Sequence, residues 1–164
     1  MYGAQRSVFC HSKSPGESGK PPPGVGTAGV YARGLLISYA NSESADNNTS
    51  QHPGYGQILP IDAHPATMVK PDGRTAWRAN WQVWDAAFGV DTNSVTLSQY
   101  ISPGRTLSRT YTSTPMTQFY DSSTTAYYNS AIPYSSVKTA GSGLKIDIVG
   151  VSTDRSAYRV HVYK

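Results

Sequence analysis

Charge, cysteine and long apolar runs are all scarce in this sequence, and each scarcity closes off a class of protein. Asp, Glu, Lys and Arg make up 15% of the 164 residues, against roughly 25% in an average soluble protein. Ser, Thr, Asn, Gly and Tyr fill the gap, and polarity without charge fits an extracellular β-protein better than a cytosolic helical one. Glu17 and Glu43 are the only glutamates and the aspartates are dispersed, so no carboxylate pair for glycoside hydrolysis stands out. The net charge is +4, but no run holds even three basic residues together, and a nucleic-acid footprint needs a clustered basic face. A lone cysteine, Cys10, rules out an intramolecular disulfide. Its use as a nucleophile would need a base held close, and sequence does not place His11 for that task. No stretch of about 18 apolar residues is long enough for a membrane-spanning helix. The first residues lack the apolar core of a signal peptide.

What is present points to strands. Three Trp, three Phe and twelve Tyr supply enough large apolar area to argue against disorder of the whole chain. Residues 1–29 differ from the rest: Pro15-Gly16, Pro21-Pro22-Pro23-Gly24, Gly26 and Gly29 leave few apolar anchors, and a flexible arm is expected there. Residues 30–164 read as one β-rich domain. Residues 35–39 form a short apolar run, and residues 57–61 form another that ends at Pro60 or just after. Lys70-Pro71-Asp72-Gly73-Arg74 is a turn, with φ preset at Pro71 and a positive φ supplied at Gly73.

In residues 77–83, Trp77, Ala79, Trp81 and Val83 alternate with Arg78, Asn80 and Gln82, which predicts a half-buried strand. Trp81, Trp84 and Phe88 on one face of a short helix is the competing reading. A hairpin is expected around Pro103-Gly104, pairing residues near 95–99 with 106–112. Loop, with room for one short strand, is expected over 113–136. Two strands follow at 144–151 and 157–163, joined by a turn at Thr153-Asp154-Arg155-Ser156. Many short strands punctuated by turns predict a mainly β fold, an antiparallel β-sandwich-like domain with a flexible Gly/Pro-rich N-terminal arm.

Candidate chemistry is thin. His11, His52, His64 and His161 include no pair at the i, i+4 spacing that puts two imidazoles on one helix face. His52 and His64 both precede proline, which disfavours helix, and they read as loop residues that hold backbone. A site built from His52, His64 and Asp62 is the three-dimensional alternative. Asp46, Asn47, Asn48 and Asp62 are hard oxygen donors suited to structural calcium, although their order differs from an EF-hand loop and Asx turns explain them more simply. Gly16-Glu17-Ser18-Gly19-Lys20 lacks the outer Gly of a phosphate loop, and Pro21 follows where Ser or Thr is needed. Gly141-Ser142-Gly143 lacks the spacing of a nucleophile elbow. Tyr100, Tyr111, Tyr120, Tyr127, Tyr128 and Tyr134 are candidates for stacking on sugar, or else ordinary core and surface tyrosines. Asn47 and Asn48 each begin an Asn-x-Ser/Thr sequon.

Residues 34–91 string together uncommon elements in a fixed order. An apolar strand precedes Asp46-Asn47-Asn48, then His52-Pro53-Gly54, then Leu59-Pro60-Ile61-Asp62-Ala63-His64-Pro65. Trp77-Arg78 and Gln82-Val83-Trp84-Asp85-Ala86-Ala87-Phe88-Gly89 complete the series. This order resembles the region downstream of the zinc site in the immune inhibitor A family of secreted bacterial metallopeptidases. Such enzymes carry a propeptide, a zinc catalytic domain and β-rich domains behind it. The family's His-Glu-x-x-His motif is absent from these residues, and family carboxylates are replaced near Asn41 and at Tyr55.

The resemblance implies a non-catalytic C-terminal portion of a longer, extracellular metallopeptidase. No catalytic, cofactor-binding or metal-ligating residue carries over to this chain. Zinc is expected only in the separate catalytic region, and that catalytic domain is the expected partner. The alternatives are a free-standing extracellular module for a glycan or cell surface, and a structural β-sandwich of a surface assembly.

Overall fold

The computed structural model describes the backbone of Arg6–Ser12 and the whole of residues 31–164. The remaining residues of the expected N-terminal arm, with Gly16 to Lys20, lie outside the described residues. β1 (Arg6–Ser12), β2 (Leu35–Asn41) and β3 (Ile58–Pro60) form an antiparallel sheet in the order β1-β2-β3. β2 is its centre. Residues 35–39 are all buried, as expected for a strand covered on both faces. Alternation sends Leu35, Ile37 and Tyr39 into the main core and Leu36 into a second cluster with Ala86 and Ala87.

β4 (Asn93–Ser102) and β5 (Arg105–Ser113) form the expected hairpin. Gly104, with φ 72°, turns the chain after Pro103. One face of this ribbon supplies Val95, Leu97 and Tyr111 to a cluster with Ala32, Met68, Trp77, Trp81 and Trp84. β6 (Gln118–Tyr120), β7 (Lys145–Val151) and β8 (Tyr158–Tyr163) make the third sheet, ordered β6-β7-β8. Its Phe119 and Ile146 join Leu35, Ile37 and Tyr39 of β2 in the main core. The fold is thus mainly β and antiparallel, as the sequence predicts. Its strands are divided among three small sheets. Among the described residues no helix is long and apolar enough to cross a membrane.

Residues 77–83 correct the expected strand. Ala79–Gln82 is a short helix, α1. Gln82, expected on the outward face, is 0% exposed. Its Oε1 accepts from the Met68 N–H at 2.8 Å, and its Nε2 donates to the carbonyls of Met68 (2.9 Å) and Trp77 (3.0 Å). An alternating aromatic pattern cannot distinguish a strand from a turn of helix whose inward polar residue has found backbone partners.

Replacing Gln82 with leucine strands the Met68 backbone in a dry site. Each lost buried partner costs roughly 1–3 kcal/mol, so Gln82→Leu is expected to lower stability by about 3 kcal/mol in urea denaturation. A loss under about 1 kcal/mol would contradict this role.

Candidate functional site

The most chemically unusual place in the fold is the corner after β3. Pro60 ends the strand, but Ile61 still donates its N–H to the carbonyl of Ile37 at 2.8 Å. The chain therefore enters the corner already buried: Ile61 and Asp62 are both 0% exposed. Asp62 Oδ1 accepts the His64 N–H at 2.8 Å, an Asx turn. Ala63 donates to the carbonyl of Ala86 at 3.2 Å, which ties the corner to the segment after α1. Asp85 lies in that segment.

Two carboxylate oxygens here, Asp62 Oδ2 and Asp85 Oδ1, are buried without a hydrogen-bond partner. Desolvation, with the neighbouring Asp85 charge, pushes the Asp62 carboxyl up to about 8. Desolvation also raises Asp85, to about 6, and the His64 charge offsets part of it. Burial raises the Tyr31 hydroxyl, and the Asp62 charge adds to it.

His64 faces this acid pair and closes the corner. Its Nδ1 lies 2.7 Å from the carbonyl of Asp85, and its Nε2 lies 2.8 Å from the carbonyl of Thr114. A carbonyl oxygen only accepts, and a neutral imidazole has a single N–H. Both contacts are hydrogen bonds only when the ring carries two protons. The ring ties three separated stretches together beside the Asp62 and Asp85 carboxyls.

The other sequence candidates sit elsewhere. Asp46 Oδ1 accepts the Asn48 N–H at 2.7 Å, and Asn47 Oδ1 accepts the Ile58 N–H at 2.8 Å. His52 Nε2 lies 2.9 Å from Asp46 Oδ1 but off the axis of a hydrogen bond, so the contact is electrostatic. His161 stacks on Tyr163 with ring centroids 4.7 Å apart. His52, His64 and Asp62 are not assembled into a cluster, and among the described residues no group of three His, Cys, Asp or Glu has metal-holding geometry.

The tyrosines are dispersed. Tyr127 stacks on Phe119 in the core. Tyr111 bonds Trp77 Nε1 and the carbonyl of Val69. Tyr128 and Tyr55 flank the Lys138 ammonium, and Tyr120 flanks that of Lys145. The Tyr134 carbonyl accepts the Thr49 hydroxyl. Tyr100 stands out at 68% exposure, alone on its strand.

Sequence reasoning missed Asp121. It accepts from the Thr139 hydroxyl, the Gly141 N–H and both the N–H and hydroxyl of Ser142. Burial alone would raise its carboxyl, but these donors outweigh burial and hold it below the usual range. The pair Gly141-Ser142, read from sequence only as a failed nucleophile elbow, is a carboxylate cradle.

The two kinds of carboxyl set opposite pH slopes. Asp62 and Asp85 hold protons more tightly folded than unfolded, so their contribution is fully present below the ordinary carboxylate range. It fades as pH rises through about 6 and about 8. Asp121, and Asp154 held at about 2 by Ser152 and Ser156, contribute above the ordinary range and fade as pH falls below it. Stability should therefore peak in mildly acid solution and decline towards pH 9, with Asp62→Asn flattening the upper part of the decline. Urea midpoints across pH would show this. A midpoint that climbs steadily from pH 5 to 9 would contradict it.

Two comparisons bear on this arrangement. The family described as immune inhibitor A-like metallopeptidase, VEG domain, matches residues 18–160. The match thus begins within the Gly/Pro-rich stretch and takes in every strand from β2 to β7. Immune inhibitor A from Bacillus thuringiensis subsp. alesti is 34% identical over 142 residues, which cover 82% of this chain and 19% of that protein. The strands from β2 to β7, the corner at Asp62 and His64, and the Asp121 cradle all fall within the matched residues, and the chain belongs to the VEG domain family of immune inhibitor A-like metallopeptidases.

Proposed function

We propose that this domain is a non-catalytic support unit of a secreted metallopeptidase, packing against the part of the parent protein that binds zinc. The observation that carries the reading is where its polar residues go. Gln82, His64, Asp121 and Asn47 all bond the chain's own backbone, as residues that stiffen a scaffold do. The His64 ring nitrogens meet carbonyl oxygens, so neither is offered to a nucleophile. The zinc-ligating His-Glu-x-x-His motif is absent from the sequence, and without a metal-activated water this type of peptide hydrolysis has no nucleophile.

Structural calcium is a separate matter. Asp46 and Asn47 are committed to backbone N–H groups, and the domain is proposed to fold without the ion. Thermal melts in calcium and in chelator should superimpose, and a higher melting temperature in calcium would restore the ion to the account.

The support role is tested in two steps. The purified chain should show no zinc-dependent cleavage of casein, and chelator-sensitive cleavage would overturn the reading. Added to the catalytic part of an immune inhibitor A, the chain should raise the melting temperature of that part. No shift at excess chain would argue that the domain does not support it.

A further inference from the structure

Natural sheets guard their open edges with charge, proline or short strands. Most edges of this fold follow that rule. β3 and β6 are three residues long, the β1 sequence contains Arg6, β8 carries Arg159, and β5 carries Arg105 and Arg109. β4 breaks it. Its ten residues include no charge, no proline and no glycine. Among the described residues β5 alone pairs with it, no turn or loop backbone group bonds its backbone N–H or C=O groups, and the Asp72 turn and the Arg33 carbonyl reach only the side chains of Gln99 and Asn93.

Its exposed face is equally unusual. Ser94, Thr96 and Ser98 of β4 bond the hydroxyls of Thr112, Thr110 and Ser108 of β5 at 3.2, 2.9 and 2.8 Å. This ladder can repeat itself across another strand of the same composition.

We propose that the outer edge of β4 pairs antiparallel with β4 of a second copy of this chain, making a four-stranded sheet across a two-fold axis. Like faces meet when the axis passes at Leu97. Thr96 then lies opposite Ser98 of the second copy, and the hydroxyl ladder continues across the join. Such an interface is isologous, so each residue is used once from each side. The same pairing through β5 would bring the arginines of both copies together, so charge selects β4 as the joining edge. The arginines also guard the outer edges of the new sheet, and assembly stops at two. Nine residues of β4, 93–101, then pair with their counterparts over about 31 Å, and an interface of one strand pair is smaller than the standard stable class. Association is therefore expected at high protein concentration.

Sedimentation equilibrium of the full chain tests this. The chain should be monomeric at about 1 μM and move to dimer as concentration approaches about 1 mM, the range of a weak contact. Thr96→Lys or Ser98→Lys should abolish the dimer. Thr110→Lys removes the same hydroxyl bond as Thr96→Lys but lies on β5, and should leave the dimer intact. A monomer at every concentration overturns the proposal, as does a dimer that survives Thr96→Lys or an assembly that grows past two. If the lysine variants fail to fold, amide exchange in the unsubstituted chain decides: protection of β4 amides must rise with concentration, and concentration-independent exchange refutes the pairing.

Discussion

Residues 84–89 bind the pieces of this fold to one another. The Trp84 carbonyl accepts the Ala32 N–H, that of Asp85 meets the His64 ring, and that of Ala86 accepts the Ala63 N–H. Phe88 exchanges two bonds with Leu35, and Gly89 exchanges two with Met116. One short stretch therefore reaches the first sheet, the Asp62 corner and the approach to the third sheet. The Phe88 ring lies between them, edge-on to Phe119 and Tyr127 at 6.0 Å from each. Close approach makes this possible: a Cβ at Gly34 would stand 2.5 Å from the Phe88 carbonyl oxygen. The central strand and the strap fit together because that position has no side chain.

The rest follows from a shortage of sheet. Three small sheets leave long stretches of backbone in loops, and several of those loops are buried. Buried N–H and C=O groups need partners. Side chains supply them: Gln82 at the Met68 backbone, His64 at the Asp85 and Thr114 carbonyls, and Asp121 at Gly141 and Ser142. Asn129 adds a bond to the Pro65 carbonyl at 2.6 Å. These groups would be reagents in an enzyme. In this domain they hold backbone, and that use underlies the supporting role proposed for it.

Sequence period revealed the parts of the fold whose partners lie close by. The β4–β5 hairpin was readable because two alternating runs flank Pro103-Gly104, and β2 because residues 35–39 are apolar but for Ser38. Residues 77–83 misled because aromatic alternation mimics a strand, while the fact that decides the matter, the bond from Gln82 to Met68, spans 14 positions. The site was legible in type but not in assembly. His64 before Pro65 suggests a loop residue holding backbone, yet nothing local reveals that one of its carbonyl partners is Thr114, 50 positions away. Asp85 sits within a quoted motif with no sign that it would be buried near Asp62.

Amide hydrogen exchange tests the claim about the strap most directly. If residues 84–89 join the sheets into one unit, the amides of Ala32, Leu35, Ala63, Phe88, Gly89 and Met116 belong to a single cooperative set. They should exchange last, with one common opening free energy close to that of global unfolding. Fast exchange at Gly89 and Met116 while Leu35 and Phe88 stay protected would show that the third sheet opens independently, and would contradict the account.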